Sequence, residues 1–386
     1  METGHIKKRF KEVYGTECKH LFFSPGRVNL IGEHTDYNGG LVLPCAINLG
    51  TYAYVTQGKD QTFRLFSDNF SEMVEIDAKN IGYRKENGWA NYAAGMIYTL
   101  QKETGRLFGG MDIYITGSLP VGAGLSSSAS LLVLIGEALN CSYSLGIEKE
   151  KLAAYAQKAE REFIGLNCGI MDHMSIALGK KGCAIKLDCA SLQYEYVKLP
   201  ISGYKIIIAS TNKARELAAS AYNTRHGQCV EAVKNLSAKL DISCLARLSP
   251  ESFAKHKSLI HSDTARKRAE HVVYENERVK KAARCLAEGN IKAFGELMWE
   301  SHESLQNLYE VSCFELDTMV RLASEACGVI GARMTGAGFG GCTVNIVEEA
   351  SAAAFIEEVG SKYEKTAKLK ADFYIIEPES GVKQVI

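Results

Sequence analysis

Three segments of this chain join tight-turn residues to groups able to hold an anion: SPGRVNLIGEHTDYNGG over 24–40, LPVGAGLSSSASL over 119–131 and GARMTGAGFGGC over 331–342. Glycine loses more freedom on ordering than any other residue, so three such blocks imply a use. In the second block Gly122 and Gly124 let backbone come close to a ligand, and Ser126, Ser127 and Ser128 add hydroxyls just before Ala129 opens an apolar helix. Free amides at a helix start take phosphate oxygens, and the helix-end field adds roughly 0.3–1 kcal/mol at an exposed site. The expected chemistry is phosphate transfer; the alternative for the serines is plain helix capping. In the third block Gly336, Gly338, Gly340 and Gly341 permit special backbone angles, while Ala337 and Phe339 set it apart from a flexible linker.

These blocks need a frame. Residues 5–16 read as a helix, and LFFSPGRVNLI reads as strands on either side of a Pro-Gly turn, which stands Arg27 on a sheet edge. GGMDIYITG over 109–117 is a strand entering the second block, and strong apolar helix formers over 129–139 leave it. Strand, loop and helix in that order make an anion cradle. Helical spacing recurs over 89–102 and 148–164, Asp172 follows a break, and KGCAIKLDC, YEYVKL and YKIIIAST read as strands. A mostly helical region over 214–308 precedes the strand CTVNIVE, a helix around 349–364 and a last strand, ADFYIIEP, that pairs back into a sheet. Composition shifts near residue 200, so the expected units are 1–200 and 201–386, of class α+β.

With 386 residues, 46% of them hydrophobic, the chain can bury a large core. Lys and Arg total 45 and Asp and Glu total 45, so no overall field draws it to nucleic acid or an anionic membrane, and small partners are expected. Its 12 cysteines are dispersed without a CxxC pair, and METGHIKKRFKEVYG lacks a signal-peptide core; the expectation is a cytoplasmic protein with reduced thiols. The apolar runs are too short for a membrane helix. Neither GxxxxGK[ST] nor a convincing dinucleotide GxGxxG is present, so a different phosphate-binding fold is required. The spacing of histidines and cysteines, Cys168 and His173 included, assembles no zinc site.

GRVNLIGEHTDYNGG resembles the amino-terminal motif that defines the galactokinase family. LPVGAGLSSSAS resembles the phosphate loop shared by galactokinases with homoserine, mevalonate and phosphomevalonate kinases, and TGAGFGGC is similar to the third motif of that superfamily. The similarity runs in order over nearly the whole chain. It implies two lobes with the site between them, ATP carried with Mg²⁺, and the C1 hydroxyl of galactose as acceptor. By this resemblance Arg27 lies near the anomeric oxygen and the transferred phosphoryl group, and Asp172 in NCGIMDH orients that hydroxyl and accepts its proton. Glu33, His34 and Asp36 would bind sugar hydroxyls, because a hexose needs directional partners, with Gly169 and Tyr222 as further contacts. Trp89 resembles the aromatic residue at the adenine face; Gly122, Gly124, Ser126, Ser127, Ser128, Gly336 and Gly338 would face the phosphates; Ser128 and Glu160 would hold Mg²⁺.

The chain departs from the family pattern at His173, where Gln is usual after the catalytic Asp, and in YNTRHGQC over 222–229, which lacks the usual paired-arginine, acid-containing form. Both departures bear on sugar selectivity. The alternatives are therefore a kinase for N-acetylgalactosamine or another sugar at C1, or a silent regulator that binds galactose and ATP. Oligomeric state is open, with a monomer favoured.

Overall fold

The computed structural model describes residues 3–120, 124–214 and 218–386. Its largest sheet has six strands in the order Lys383–Gln384, His20–Asn29, Pro44–Gln57, Met111–Gly117, Thr62–Ser67, Glu72–Asp77. Neighbours are antiparallel except Thr62–Ser67 against Met111–Gly117, which run parallel. Helices Ala90–Thr104, Ser127–Ser142, Lys149–Lys158 and Met171–Leu178 bury their apolar stripes with this sheet, through Ile97, Leu132, Ile135, Leu152 and Ile176 among others.

A second, fully antiparallel sheet has the order Val329–Thr335, Cys342–Glu348, Tyr204–Ser210, Asp372–Ile376. Successive strand residues point to opposite faces. Ile207 and Ala209 accordingly pack outward against Met319, Phe355 and Val359 of helices Phe314–Glu325 and Ala352–Ala367. Ile206 and Ile208 turn inward to a core that also contains Val28, Leu30 and Ile31 of the first block, Leu43 just after it, and Val279 and Phe294 of helices Asp263–Ala287 and Ile291–Ser304. Each such side chain contributes about 1.5–3 kcal/mol on full burial, so this shared core fixes the first glycine block against the second sheet. A third sheet, Leu41–Val42, Cys183–Asp188, Tyr194–Lys198, flanks the junction. The architecture is α+β, and no helix among the described residues is long and apolar enough to cross a membrane.

Two local expectations change. Pro25 and Gly26 do not turn the chain: His20–Asn29 is one strand, with a register shift between Pro25 and Arg27 against its neighbour. The reason is close approach, since a Cβ at Gly26 would meet the Leu119 side chain and the Leu125 carbonyl. ADFYIIEP is also not the last strand. After Asp372–Ile376 pairs with Tyr204–Ser210, the chain crosses back and Lys383 and Gln384 pair with Phe23 and Phe22.

Candidate active site

The bulge in the first strand has a direct consequence for Arg27. Its backbone amide donates to the Leu125 carbonyl at 3.2 Å, which anchors the strand to the phosphate-loop block. Its guanidinium then makes two parallel bonds to Asp172, Nε to Oδ1 and Nη2 to Oδ2, both at 2.6 Å, while Nη1 donates to the Gly124 carbonyl at 2.8 Å. Two-pronged contacts of this kind are the strongest and most directional that arginine makes. Asp172 stands in the first turn of helix Met171–Leu178. Burial pushes its carboxyl up, but the Arg27 guanidinium overrides that and, with Ser126, holds it below the ordinary carboxylate range. Asp172 is thus an anion at neutral pH.

Ser126 is turned toward Asp172. Its backbone is left-handed at φ 62°, it makes no capping bond, and its hydroxyl donates to Asp172 Oδ2 at 2.5 Å. His34 at φ 62° and Phe339 at φ 59° share that unfavourable region, so among the described residues each glycine block holds one strained non-glycine residue. Such strain persists only where the surroundings over-determine it, as at functional sites.

Arg27 and Asp172 open onto a cavity of about 260 Å³ whose wall also includes Glu33, His34, Asp36, Gly169, Tyr222 and Gly336. His34 Nδ1 bonds the Tyr37 hydroxyl at 2.8 Å, while Nε2 is buried without a partner. Burial, helped by nearby His271, lowers the imidazole to about 3, so it is neutral and keeps one ring nitrogen for a ligand. Asp36 is raised to about 7 by burial and then by the Asp172 charge. Gly169 has a steric reason: a Cβ there would overlap the Asp36 carboxylate. Tyr222 forms an aromatic wall with Tyr37 and His34, ring centroids 5.0 and 5.7 Å away.

Glu33 is differently employed. Its Oε1 accepts from Thr335 Oγ1 at 3.1 Å and from the Gly336 amide at 2.9 Å, and Oε2 accepts from Asn29 at 2.7 Å and faces Arg333 at 2.6 Å. It reaches the cavity wall already engaged by four partners. Gly338, expected at the phosphates, packs on Val311, whose carbonyl a Cβ would strike, and Phe339 donates its amide to that same carbonyl at 2.7 Å.

A second cavity is lined by Trp89, Phe70, Tyr92, Ser127 and Ser128 among others. Trp89 and Phe70 stack with planes 8° apart and centroids 6.1 Å apart, and Phe70 is 54% exposed. Ser127 and Ser128 begin the helix Ser127–Ser142 and both line this cavity. Gly122 lies outside the described residues, so its role stays an expectation. Gly124 at φ 80° lends the carbonyl that receives Arg27.

Glu160 is buried in a π-helical turn, Ala159–Ile164, a distortion frequent at functional sites. Ser128 and Cys168 are within hydrogen-bonding reach of its carboxylate, and His173 Nε2 lies 3.0 Å from Oε2. Although spacing assembled no metal cluster, Glu160, Cys168 and His173 place donor atoms within 4.8 Å of one another and could hold a metal ion. Glu160 sits in the π-turn itself, a distortion that residue spacing does not reveal.

Sequence reasoning also missed the brace behind the first block. Glu275 accepts from the Gly32 amide at 3.0 Å and from Ser301 at 2.6 Å, and pairs with Arg278 at 2.7 Å. One helical turn earlier, His271 Nε2 meets the Glu33 carbonyl at 3.1 Å. Polar residues at helical spacing, Arg268, His271 and Glu275, set among buried apolar positions such as Val272 and Val279, were the available signal.

The chain's residues 8–57 match the family model described as the galactokinase galactose-binding signature, 91–180 the GHMP kinases N terminal domain and 282–365 the GHMP kinases C terminal. It is 48% identical over 383 residues to a galactokinase of Bacillus subtilis, covering 98% of each chain. A galactokinase of Clostridium beijerinckii is 46% identical over 382 residues, again with 98% of each covered. Among solved structures, a Lactococcus lactis galactokinase complexed with galactose superposes with a TM-score of 0.96 at 41% identity, covering 99% of this chain and 100% of that one. A Methanococcus jannaschii mevalonate kinase shares the fold, with a TM-score of 0.70 at 19% identity over 94% of this chain and 99% of that one. End-to-end similarity at this level, on a two-lobed α+β kinase fold with all three glycine blocks in place, makes the chain a member of the galactokinase family.

Proposed function

We propose that this protein transfers the γ-phosphoryl group of ATP to the C1 hydroxyl of α-D-galactose, giving α-D-galactose 1-phosphate and ADP. The observation that carries this reading is the position of the Arg27–Asp172 pair, between a cavity with hydroxyl-binding groups and a loop that leads to an aromatic-lined one. Galactose occupies the first cavity, where neutral His34, Asp36, the close backbone of Gly169 and the Tyr222 wall meet its hydroxyls and ring. Adenine lies against Trp89 and Phe70, and the phosphates run along Ser127 and Ser128 toward Arg27.

Phosphoryl transfer passes through a loose transition state and needs positioning and charge compensation more than strong base catalysis. Asp172 suits that demand. Held anionic by Arg27, it is a weak base that aligns the C1 O–H and takes its proton as the oxygen bonds phosphorus and the bond to ADP breaks; the proton then passes to solvent. Arg27, bound at once to Asp172 and the Gly124 carbonyl, faces the charge that develops on the transferred group. Ser128 and buried Glu160 offer the oxygen donors that fit Mg²⁺ arriving with ATP. When bound, that ion neutralises phosphate charge.

The deciding experiment is a panel of galactose, N-acetylgalactosamine, glucose, arabinose and uronic acids with ATP and Mg²⁺, read by ADP release and by ³¹P NMR of the product. Phosphate on C1 of galactose, with galactose preferred, is the expected result. Preference for N-acetylgalactosamine overturns the specificity, and sugar binding without any transfer identifies a silent regulator.

A further inference from the structure

Beside the phosphoryl-transfer pair lies a cluster whose donors differ from the oxygen-rich surroundings. Glu160, Cys168 and His173 bring a carboxylate oxygen, a thiol sulfur and an imidazole nitrogen within 4.8 Å of one another. They arrive on the π-helical turn Ala159–Ile164, on the loop after it, and on helix Met171–Leu178. His173 is fully buried, and its Nε2 sits 3.0 Å from Glu160 Oε2. Its other ring nitrogen, Nδ1, is buried without a hydrogen-bond partner. A buried polar group left so costs about 1–3 kcal/mol, which invites a function that uses it.

We propose that Glu160, Cys168 and His173 form a site for a thiophilic divalent cation, with Zn²⁺ as the type case, sharing the Glu160 carboxylate with the position expected for Mg²⁺. Mg²⁺ takes oxygen donors almost exclusively, whereas Zn²⁺ accepts carboxylate, thiolate and imidazole together at about 2.0–2.3 Å. Tetrahedral bonds of that length set donor atoms about 3.3–3.8 Å apart, so the cluster must contract by roughly 1 Å at its widest. Cys168 can supply this movement, since it lies in the loop between Gly165 and Gly169 and lines both the sugar cavity and the adjoining one. These cavities also give the ion its path inward. On binding, the Cys168 S–H bond breaks, the sulfur pair binds the metal and the proton leaves to solvent, with no change of oxidation state. The fourth position lies open to water or to Ser128, which is in reach of the same carboxylate.

One consequence rests on the function proposed above: an ion that occupies Glu160 withdraws the carboxylate that Mg-ATP needs, so Zn²⁺ inhibits transfer reversibly. The test does not depend on turnover. The full chain, stripped of metal, is titrated with Co²⁺ and followed by absorption, and with Zn²⁺ by calorimetry, alongside Cys168→Ser, Cys168→Ala and His173→Gln variants whose folding is checked by circular dichroism. Expected are a thiolate-to-cobalt charge-transfer band saturating at one equivalent, its loss in both Cys168 variants, and Zn²⁺ affinity at least about 100-fold weaker in His173→Gln. Absence of the band, its survival in a folded Cys168 variant, or unchanged affinity in His173→Gln overturns the proposal. A normal cobalt spectrum in a protein that phosphorylates no sugar leaves the metal site standing and removes the kinase reading instead.

Discussion

Glu33 and Arg333 form a fully buried ion pair at 2.6 Å that ties the first glycine block to the strand Val329–Thr335, where the third begins. The relationship converts two blocks distant in sequence into one wall, because the same carboxylate also takes the Gly336 amide. Breaking a buried pair from one side leaves an unpaired charge, which costs about 3–5 kcal/mol. Arg333→Met is therefore expected to lower stability in urea titrations by that order. The double variant Glu33→Gln/Arg333→Met should recover a large part, with a coupling energy above about 1 kcal/mol. Strictly additive losses would dissolve the joint.

Asp172→Asn keeps the shape of the carboxylate but loses its charge and its capacity to take a proton. Turnover of galactose should fall by about 10²- to 10⁴-fold, with a much smaller change in KM, measured by coupled ADP release. Arg27 holds Asp172 below the ordinary carboxylate range, so protonation of Asp172 should not limit kcat until the pH falls below about 3.9. A kcat profile that collapses between pH 5 and 6 and is restored by no other substitution would contradict this account.

Asp36 behaves in the opposite way. Burial and the neighbouring Asp172 charge raise it from 3.8 to about 7, so the native protein keeps a proton that the unfolded chain has released across that interval. Stability consequently falls as pH rises from about 4 to 7, and the penalty is complete above the folded value. Asp36→Asn should raise the Tm at pH 8 relative to the parent, with little gain at pH 4. It should also weaken galactose binding in calorimetry and flatten the pH dependence of KM near 7. A variant with an unchanged Tm at pH 8 would show that Asp36 carries no such charge penalty.

Gly169→Ala adds one methyl group where the Asp36 carboxylate already sits. Either Asp36 leaves its rotamer or the loop over 165–170 moves, and both disturb the sugar cavity rather than the aromatic one. The expected result is a galactose KM raised by at least about tenfold with the ATP KM within about twofold, since a 1 Å misplacement alone can cost 10²-fold. Equal damage to both constants would point to general unfolding of the lobe.

Much of this site was legible in the residues because turn chemistry and anion binding leave local marks. The three blocks, the strand and helix flanking the second, and the match to family motifs together pointed to Arg27, Asp172, His34, Asp36, Gly169 and Tyr222, which do line one cavity. What stayed hidden depends on long-range closure. Arg333 stood inside a quoted block without a partner, and Glu275 and His271 lie on a helix more than 200 residues downstream of the loop they brace. The Pro25–Gly26 pair read as a turn because its local chemistry says so, whereas contact with Leu119 and Leu125 makes it a bulge. Likewise the π-turn in which Glu160 sits leaves no trace in a helical repeat.

Trp89 offers a direct optical test of the aromatic cavity. The chain has 2 tryptophans, and the other, Trp299, packs against the core behind the second sheet, so Trp299→Phe leaves Trp89 as the reporter. Because Trp89 already stacks on Phe70 and bonds Glu72 through its indole N–H at 3.2 Å, a purine arriving at this face meets a ring held in place. Stacking of a base on an aromatic side chain is worth about 1–3 kcal/mol, which corresponds to about 5- to 150-fold in affinity. Trp89→Ala should raise the ATP KM by that factor and leave galactose binding intact. In the Trp299→Phe background, ATP should alter Trp89 fluorescence and galactose alone should not. An ATP-induced change absent from that background, together with an unaltered KM in Trp89→Ala, would place the nucleotide base elsewhere than between Trp89 and the phosphate loop.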